Sequence, residues 1–234
     1  MPRLCAALVL LALFFIPSPA FSQDPPAIIP VEKEPIAPYV LDARGAMARF
    51  KPVAAIGTSL GVDANTTLPT RGFGLVVGAH VYPIRRGSFA LGLGGELLLR
   101  TQGSRTAAAA SEEGPAGPTV KTRFSALSPQ VSFNFGKRDG YSYISGGMGW
   151  ASLTSELEPA TVTPSPPPTP TPLEDDPRRQ TINYGGGARW FTKKHLAFSL
   201  DLRFYAVRPR EETAGVLAYP RMTVMVFSAG IAVR

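Results

Sequence analysis

Cysteine is almost missing: the chain has one, Cys5, among 234 residues, and its only histidines are His80 and His195. A zinc cage of the Cys/His kind cannot be assembled from that inventory, and no disulfide within the chain can brace the fold. Charged residues are scarce too, at 18%, where a quarter is usual. The formal net charge is +7, yet Lys and Arg stand singly and in pairs, without the runs or stripes of a nucleic-acid binder. No nucleic acid is expected as a partner. Beyond residue 22, no apolar run reaches the 18 or so residues that a membrane helix needs. That absence leaves β-barrels open, because their strands alternate and never produce such a run.

The first 22 residues, MPRLCAALVLLALFFIPSPAFS, read as a cleavable secretory signal. Arg3 gives a basic start, Leu4 to Ile16 an apolar core, and Ala20-Phe21-Ser22 a small-x-small cleavage site. That core is too short for ~30 Å of hydrocarbon, so it reads as a signal and not an anchor. Residues 23–46 follow as a proline-rich N-terminal segment. Five prolines between 23 and 38 fix φ and remove backbone donors, which predicts an extended linker.

From about Lys51 the texture changes to β-like segments rich in Gly, Val, Leu and aromatics. Eight are read, at 51–62, 71–82, 88–101, 121–135, 141–154, 180–191, 195–207 and 220–233. Their connections alternate in length. PIRRG at 83–87, GKRDG at 136–140 and Thr192-Lys193-Lys194 are tight, while 63–70, 102–120, 155–179 and 208–219 are long. An even number of strands with two unlike rims predicts an all-β fold, an eight-stranded antiparallel up-and-down barrel over 47–234. The long connections at 102–120 and 155–179 read as solvated loops. The second holds PSPPPTPTP at 164–172, which no sheet accommodates.

Facing is read from parity. In 195–207, Leu196, Phe198, Leu200, Leu202 and Phe204 oppose Ala197, Ser199, Asp201, Arg203 and Tyr205. In 88–101, Phe89, Leu91, Leu93, Leu97 and Leu99 oppose Ala90, Gly92, Gly94, Glu96 and Arg100. Period two is the strand signature. A soluble, lipocalin-like barrel would alternate as well, but its water-facing side would carry many Lys, Glu and Asp. Here the minor face is Gly, Ala, Ser and Asn with a few charges of both signs, which suits a cramped lumen. The bulky apolar face suits lipid.

Aromatics gather beside the tight turns: Tyr82 and Phe89, Phe135 and Tyr141, Trp190 and Phe198. They read as an interfacial belt. Each tight turn also carries a basic pair, placed either against anionic headgroups or simply in water. By parity, Glu96, Arg100, Arg189, Asp201 and Arg203 share the interior. They form either a polar pathway for small solutes or an ion-pair network that fills the lumen.

Catalytic signals are only apparent. Gly57-Thr58-Ser59-Leu60-Gly61 matches a nucleophile elbow, which requires a strand, a sharp turn and then a helix. It is read here as first strand, with its glycines packed in the barrel interior. His80 and His195 lack a Ser and an acidic partner at a familiar spacing and are read as structural. No catalytic residue, cofactor or metal ligand is assigned.

The strings GFGLVVGAHVYPIRRGSFALGLGGELLLR (72–100) and NYGGGARWFTKKHLAFSLDLRFYAV (183–207), with the signal segment and eight alternating strands, resemble the bacterial outer-membrane β-barrel domain. That grouping takes in OmpA-like transmembrane domains, OmpW-like proteins and opacity-type porins. The resemblance implies a Gram-negative outer membrane, with termini and tight turns on the periplasmic side. It further implies outer-membrane lipids and the barrel-insertion machinery as partners. A non-enzymatic barrel presenting extracellular loops is the first expectation. A narrow channel for small or apolar solutes is the alternative, and a lipid-modifying enzyme a distant one. Such barrels usually close on an aromatic residue, whereas Ser228-Ala229-Gly230-Ile231-Ala232-Val233-Arg234 keeps their terminal pattern but ends in arginine.

Overall fold

The computed structural model describes residues 34–109, 117–158, 178–209 and 220–234. The signal segment 1–22, the proline tract 164–172 and the middle of the 102–120 loop lie outside the described residues.

Among the described residues, eight strands make the fold: β1 (Tyr39–Arg49), β2 (Arg71–Arg86), β3 (Phe89–Thr106), β4 (Thr119–Lys137), β5 (Gly140–Glu158), β6 (Arg179–Phe191), β7 (Leu196–Val207) and β8 (Met222–Val233). Each pairs antiparallel with the next, and β1 pairs antiparallel with β8, so the sheet closes into a barrel without an edge. Closure gives every strand a hydrogen-bonded neighbour on both sides, which is what a strand surrounded by hydrocarbon requires.

Seven of the eight strands fall where alternation places them. The first does not. Residues 51–62 are not strand: Ala54–Leu60 form a short helix, α1, and Ala64–Thr67 a single turn, α2. Ile56 and Leu60 stand four apart on α1 and pack with Val62 against Ala64, Leu68 and Val120. That i, i+4 spacing is helical, and it is masked in the sequence by the surrounding Gly and Val. Gly61 ends α1 at φ 67°, its N–H donating to Gly57 and Thr58 carbonyls. Gly57 does not pack in the barrel interior either. It lies under α2, where a Cβ would overlap Ala64.

The true first strand is β1, inside the segment read as linker and barrel boundary. Tyr39, Leu41 and Met47 alternate with Val40, Asp42, Arg44, Ala46 and Ala48, and the second set faces inward. The chain is packed even before β1. Ile36 is 1% exposed, the Pro38 carbonyl accepts from the Tyr82 N–H at 2.8 Å, and Glu34 pairs with Arg138. The strands also run further than read: β3 takes in 102–106, β4 begins at Thr119 and β5 reaches Glu158.

Outward positions carry large apolar side chains around the wall, among them Leu93, Val131, Ile144, Ile182, Leu202 and Phe227, all exposed. Inward positions form three layers. An apolar cluster of Ile36, Val40, Tyr82, Ala90, Tyr141 and Tyr143 with its neighbours fills the end of the tight turns. A second apolar cluster, built around Phe50, Leu98, Phe124, Tyr205, Met222 and Val224, fills the end of the long connections. Charged residues occupy the layer between.

Candidate functional site

The middle layer holds three arginines and three carboxylates. Asp42 and Arg44 come from β1, Glu96 from β3, Arg189 from β6, and Asp201 and Arg203 from β7. None is more than 5% exposed. An isolated charge buried this deeply costs several kcal/mol, so each must be paired and hydrogen-bonded.

Pairing is extensive. Arg44 places Nε 2.9 Å from Asp42, Nη1 3.5 Å from Asp201, and Nη2 against Glu96. Arg189 Nη2 lies 2.7 Å from the other Asp42 oxygen. Arg203 places Nε 2.8 Å from Glu96 and Nη2 3.0 Å from Asp201. Neutral donors and acceptors add to the shell. Arg203 donates to Gln130 Oε1 at 2.6 Å, to Asn183 Oδ1 at 3.2 Å and to Ser145 Oγ at 3.0 Å. Tyr143 donates its hydroxyl proton to Asp201 at 2.9 Å. The Arg189 guanidinium stacks over the Tyr143 ring, 4.4 Å from its centroid, a contact strengthened by desolvation. Formal charge within the belt sums to zero.

Of the five interior residues read from sequence, Glu96, Arg189, Asp201 and Arg203 meet in this belt. Arg100 does not. A β-bulge lies between Leu98 and Thr101, where β3 spends two residues, Leu99 and Arg100, against the single Ser125 of β4. The extra residue reverses parity. Thr101 turns inward and is fully buried, while Arg100 points outward and is exposed. Gly74 of β2 makes room for the bulge, because a Cβ there would overlap the carbonyl oxygen of Arg100.

The aromatic belt is divided as well. Phe135, Trp190 and Phe198 are about half exposed on the outer wall. Phe89 packs beside Phe135 there, with ring centroids 5.9 Å apart. Tyr82 and Tyr141 instead face inward, 2% and 4% exposed. Their hydroxyls lie 3.1 Å apart and their rings meet edge to face at 6.1 Å. Flanking a tight turn identifies the rim but not the face, and both tyrosines fall on inward parity.

Asp42 and Arg44 are the residues that sequence reading missed. The alternation of YVLDARGAMAR was the available signal, hidden by the prolines just before it. His80 is buried on the lumen side, packed where a Cβ on Gly94 would overlap its ring. His195 sits at a tight turn with Nδ1 2.8 Å from the Arg234 carbonyl oxygen. Ser59 lies on α1 at the opposite end and donates its hydroxyl to Ile56 at 2.9 Å. These three do not converge. Arg234 clasps the turn end: it donates to the Lys194 carbonyl at 2.9 Å and to the Arg138 carbonyl, and its guanidinium lies 3.7 Å over the Phe191 ring.

No protein-family model matches the sequence, and no curated protein sequence matches it. Among solved structures, the chain is similar to Neisserial surface protein A at 10% identity and a TM-score of 0.45, covering 84% of this chain and 97% of that one. It is similar to the outer membrane protein OprG from Pseudomonas aeruginosa at 8% identity and a TM-score of 0.45, covering 86% and 97%. It is also similar to the outer membrane protease OmpT from Escherichia coli at 11% identity and a TM-score of 0.40, covering 70% and 64%. The closed eight-strand pairing of this chain stands independently of these likenesses.

Proposed function

We propose that the protein is an outer-membrane β-barrel that does not conduct: a lipid-embedded scaffold that carries its long connections on the cell surface and performs no catalysis. The buried charged belt carries this reading. Its arginines and carboxylates bind one another across the lumen, and apolar layers lie both above and below them. A hydrated pathway needs polar groups free to face water along its whole length, and these ions face each other. The apolar outer wall and the signal-like N-terminus support a membrane location after export. Outer-membrane lipids and the barrel-insertion machinery are the partners this reading requires.

The test is planar-bilayer recording of purified, folded protein. Bilayers that take up the barrel should show no steady conductance steps over lipid alone. Steady single-channel steps would restore the narrow-channel reading.

A further inference from the structure

We infer that the bulge of β3 builds a binding site for a phosphorylated acyl lipid on the outer wall, at the end of the long connections. The inference rests on the membrane reading above. A groove of about 310 Å³ crosses β3, β4 and β5 on that face. Its lower part is apolar: Leu97 pairs with Leu127, and Leu127 with Trp150, in one cross-strand row. Its upper part is a row of another kind. Leu99 and Arg100 oppose Ser125, and Ser125 pairs with Ser152; Arg178, the residue before β6 and one step past the last β5–β6 pair, lines the groove with Ser152.

Two serines thus form a notch with an arginine at each end. Strands lie ~4.8 Å apart, so three spacings separate Arg100 from Arg178, and two long side chains can close on one group over the serines. Neither arginine has a hydrogen-bond or ion-pair partner among the described residues. Their basic neighbours on the same face do: Lys121 holds Glu158 and Arg123 holds Glu156. Guanidiniums with no partner among the described residues, above a Leu/Trp-lined groove, match a phosphate headgroup above an acyl chain. Without the bulge, Arg100 would point into the lumen and the notch would lose one wall.

Lipid retention tests the site. Purified full-length protein is folded into phosphatidylcholine vesicles containing a minor fraction of diphosphorylated lipid A. It is then extracted in mild detergent, and the lipid A that stays bound is measured by mass spectrometry. Wild-type protein should retain on the order of tenfold more lipid A than the R100Q/R178Q variant. It should also retain lipid A in preference to the same lipid stripped of phosphate. The R85Q/R86Q variant, altered at the opposite rim, should match wild type. Equal retention by R100Q/R178Q and wild type would overturn the site, as would release of the lipid by inorganic pyrophosphate alone, which would mark a site for free phosphate. Insertion into plain phosphatidylcholine is scored separately, by resistance to unfolding in unheated detergent gels. A protein that inserts but retains no lipid A counts against this site alone, and one that does not insert counts against the membrane reading.

Discussion

Arg189 of β6 donates a hydrogen bond to Asp42 of β1 at 2.7 Å, joining residues 147 positions apart. The two strands are not neighbours in the sheet, so the bond crosses the lumen. Asp42 also receives Arg44. The Asp42→Asn change therefore leaves two buried guanidiniums short of a carboxylate. Breaking a buried pair on one side costs about 3–5 kcal/mol, and equilibrium urea unfolding in lipid vesicles should show a loss of that size. A loss below about 1 kcal/mol, the range of solvated pairs, would show that water reaches the belt and that the lumen is open.

Gly74 and the bulge it accommodates can be tested together. In the Gly74→Ala variant the added methyl meets the Arg100 carbonyl oxygen, and overpacking of this kind costs about 1–3 kcal/mol. The backbone of the bulge must move to relieve it. A spin label at position 100 should respond to a lipid-side relaxation agent in the parent protein and lose that response in the Gly74→Ala background. An unchanged label and unchanged stability would show that the bulge does not depend on Gly74.

Facing in β7 gives a direct test of what surrounds the barrel. Leu200 is 39% exposed and Ser199 is fully buried. Leu200→Arg should cost about 2–4 kcal/mol if hydrocarbon covers the wall at mid-span. A label at 200 should respond to a lipid-soluble relaxation agent and a label at 199 should not. Bulk-water accessibility at 200 in the folded, reconstituted protein would contradict the membrane assignment.

Orientation is tested on intact cells. The connections β3–β4 and β5–β6 leave from the same rim, opposite the tight turns. Protease added outside should cut within 107–118 and 159–178. The tight turns should be cut only after the outer membrane is permeabilised. The reverse pattern would invert the topology.

Much of the architecture was legible because facing in a strand is a local property. Period two in 195–207 placed Ser199, Asp201, Arg203 and Tyr205 inward without knowledge of any neighbour, and all four are buried. The same reasoning failed at two kinds of place. At Arg100 one extra residue in β3 reversed the count, and nothing in Leu98-Leu99-Arg100-Thr101 marks that insertion. In the proline-rich segment 23–46 the prolines signalled linker, although proline is compatible with the chain ahead of a first strand. The strand itself has only modest apolar contrast, and its inward positions include Asp42 and Arg44.

Sequence by itself determined the alternating walls, seven strands, the unlike rims and the exclusion of a Cys/His zinc cage or an internal disulfide, because each depends on composition or on residues a few positions apart. Tertiary structure alone decided that β1 completes the barrel, that Arg100 lies outside while Tyr82 and Tyr141 lie inside, and that three arginines and three carboxylates neutralise one another. Ion pairing across a lumen depends on which distant strands closure brings face to face. Asp42 meets Arg189 only because β8 returns to pair with β1.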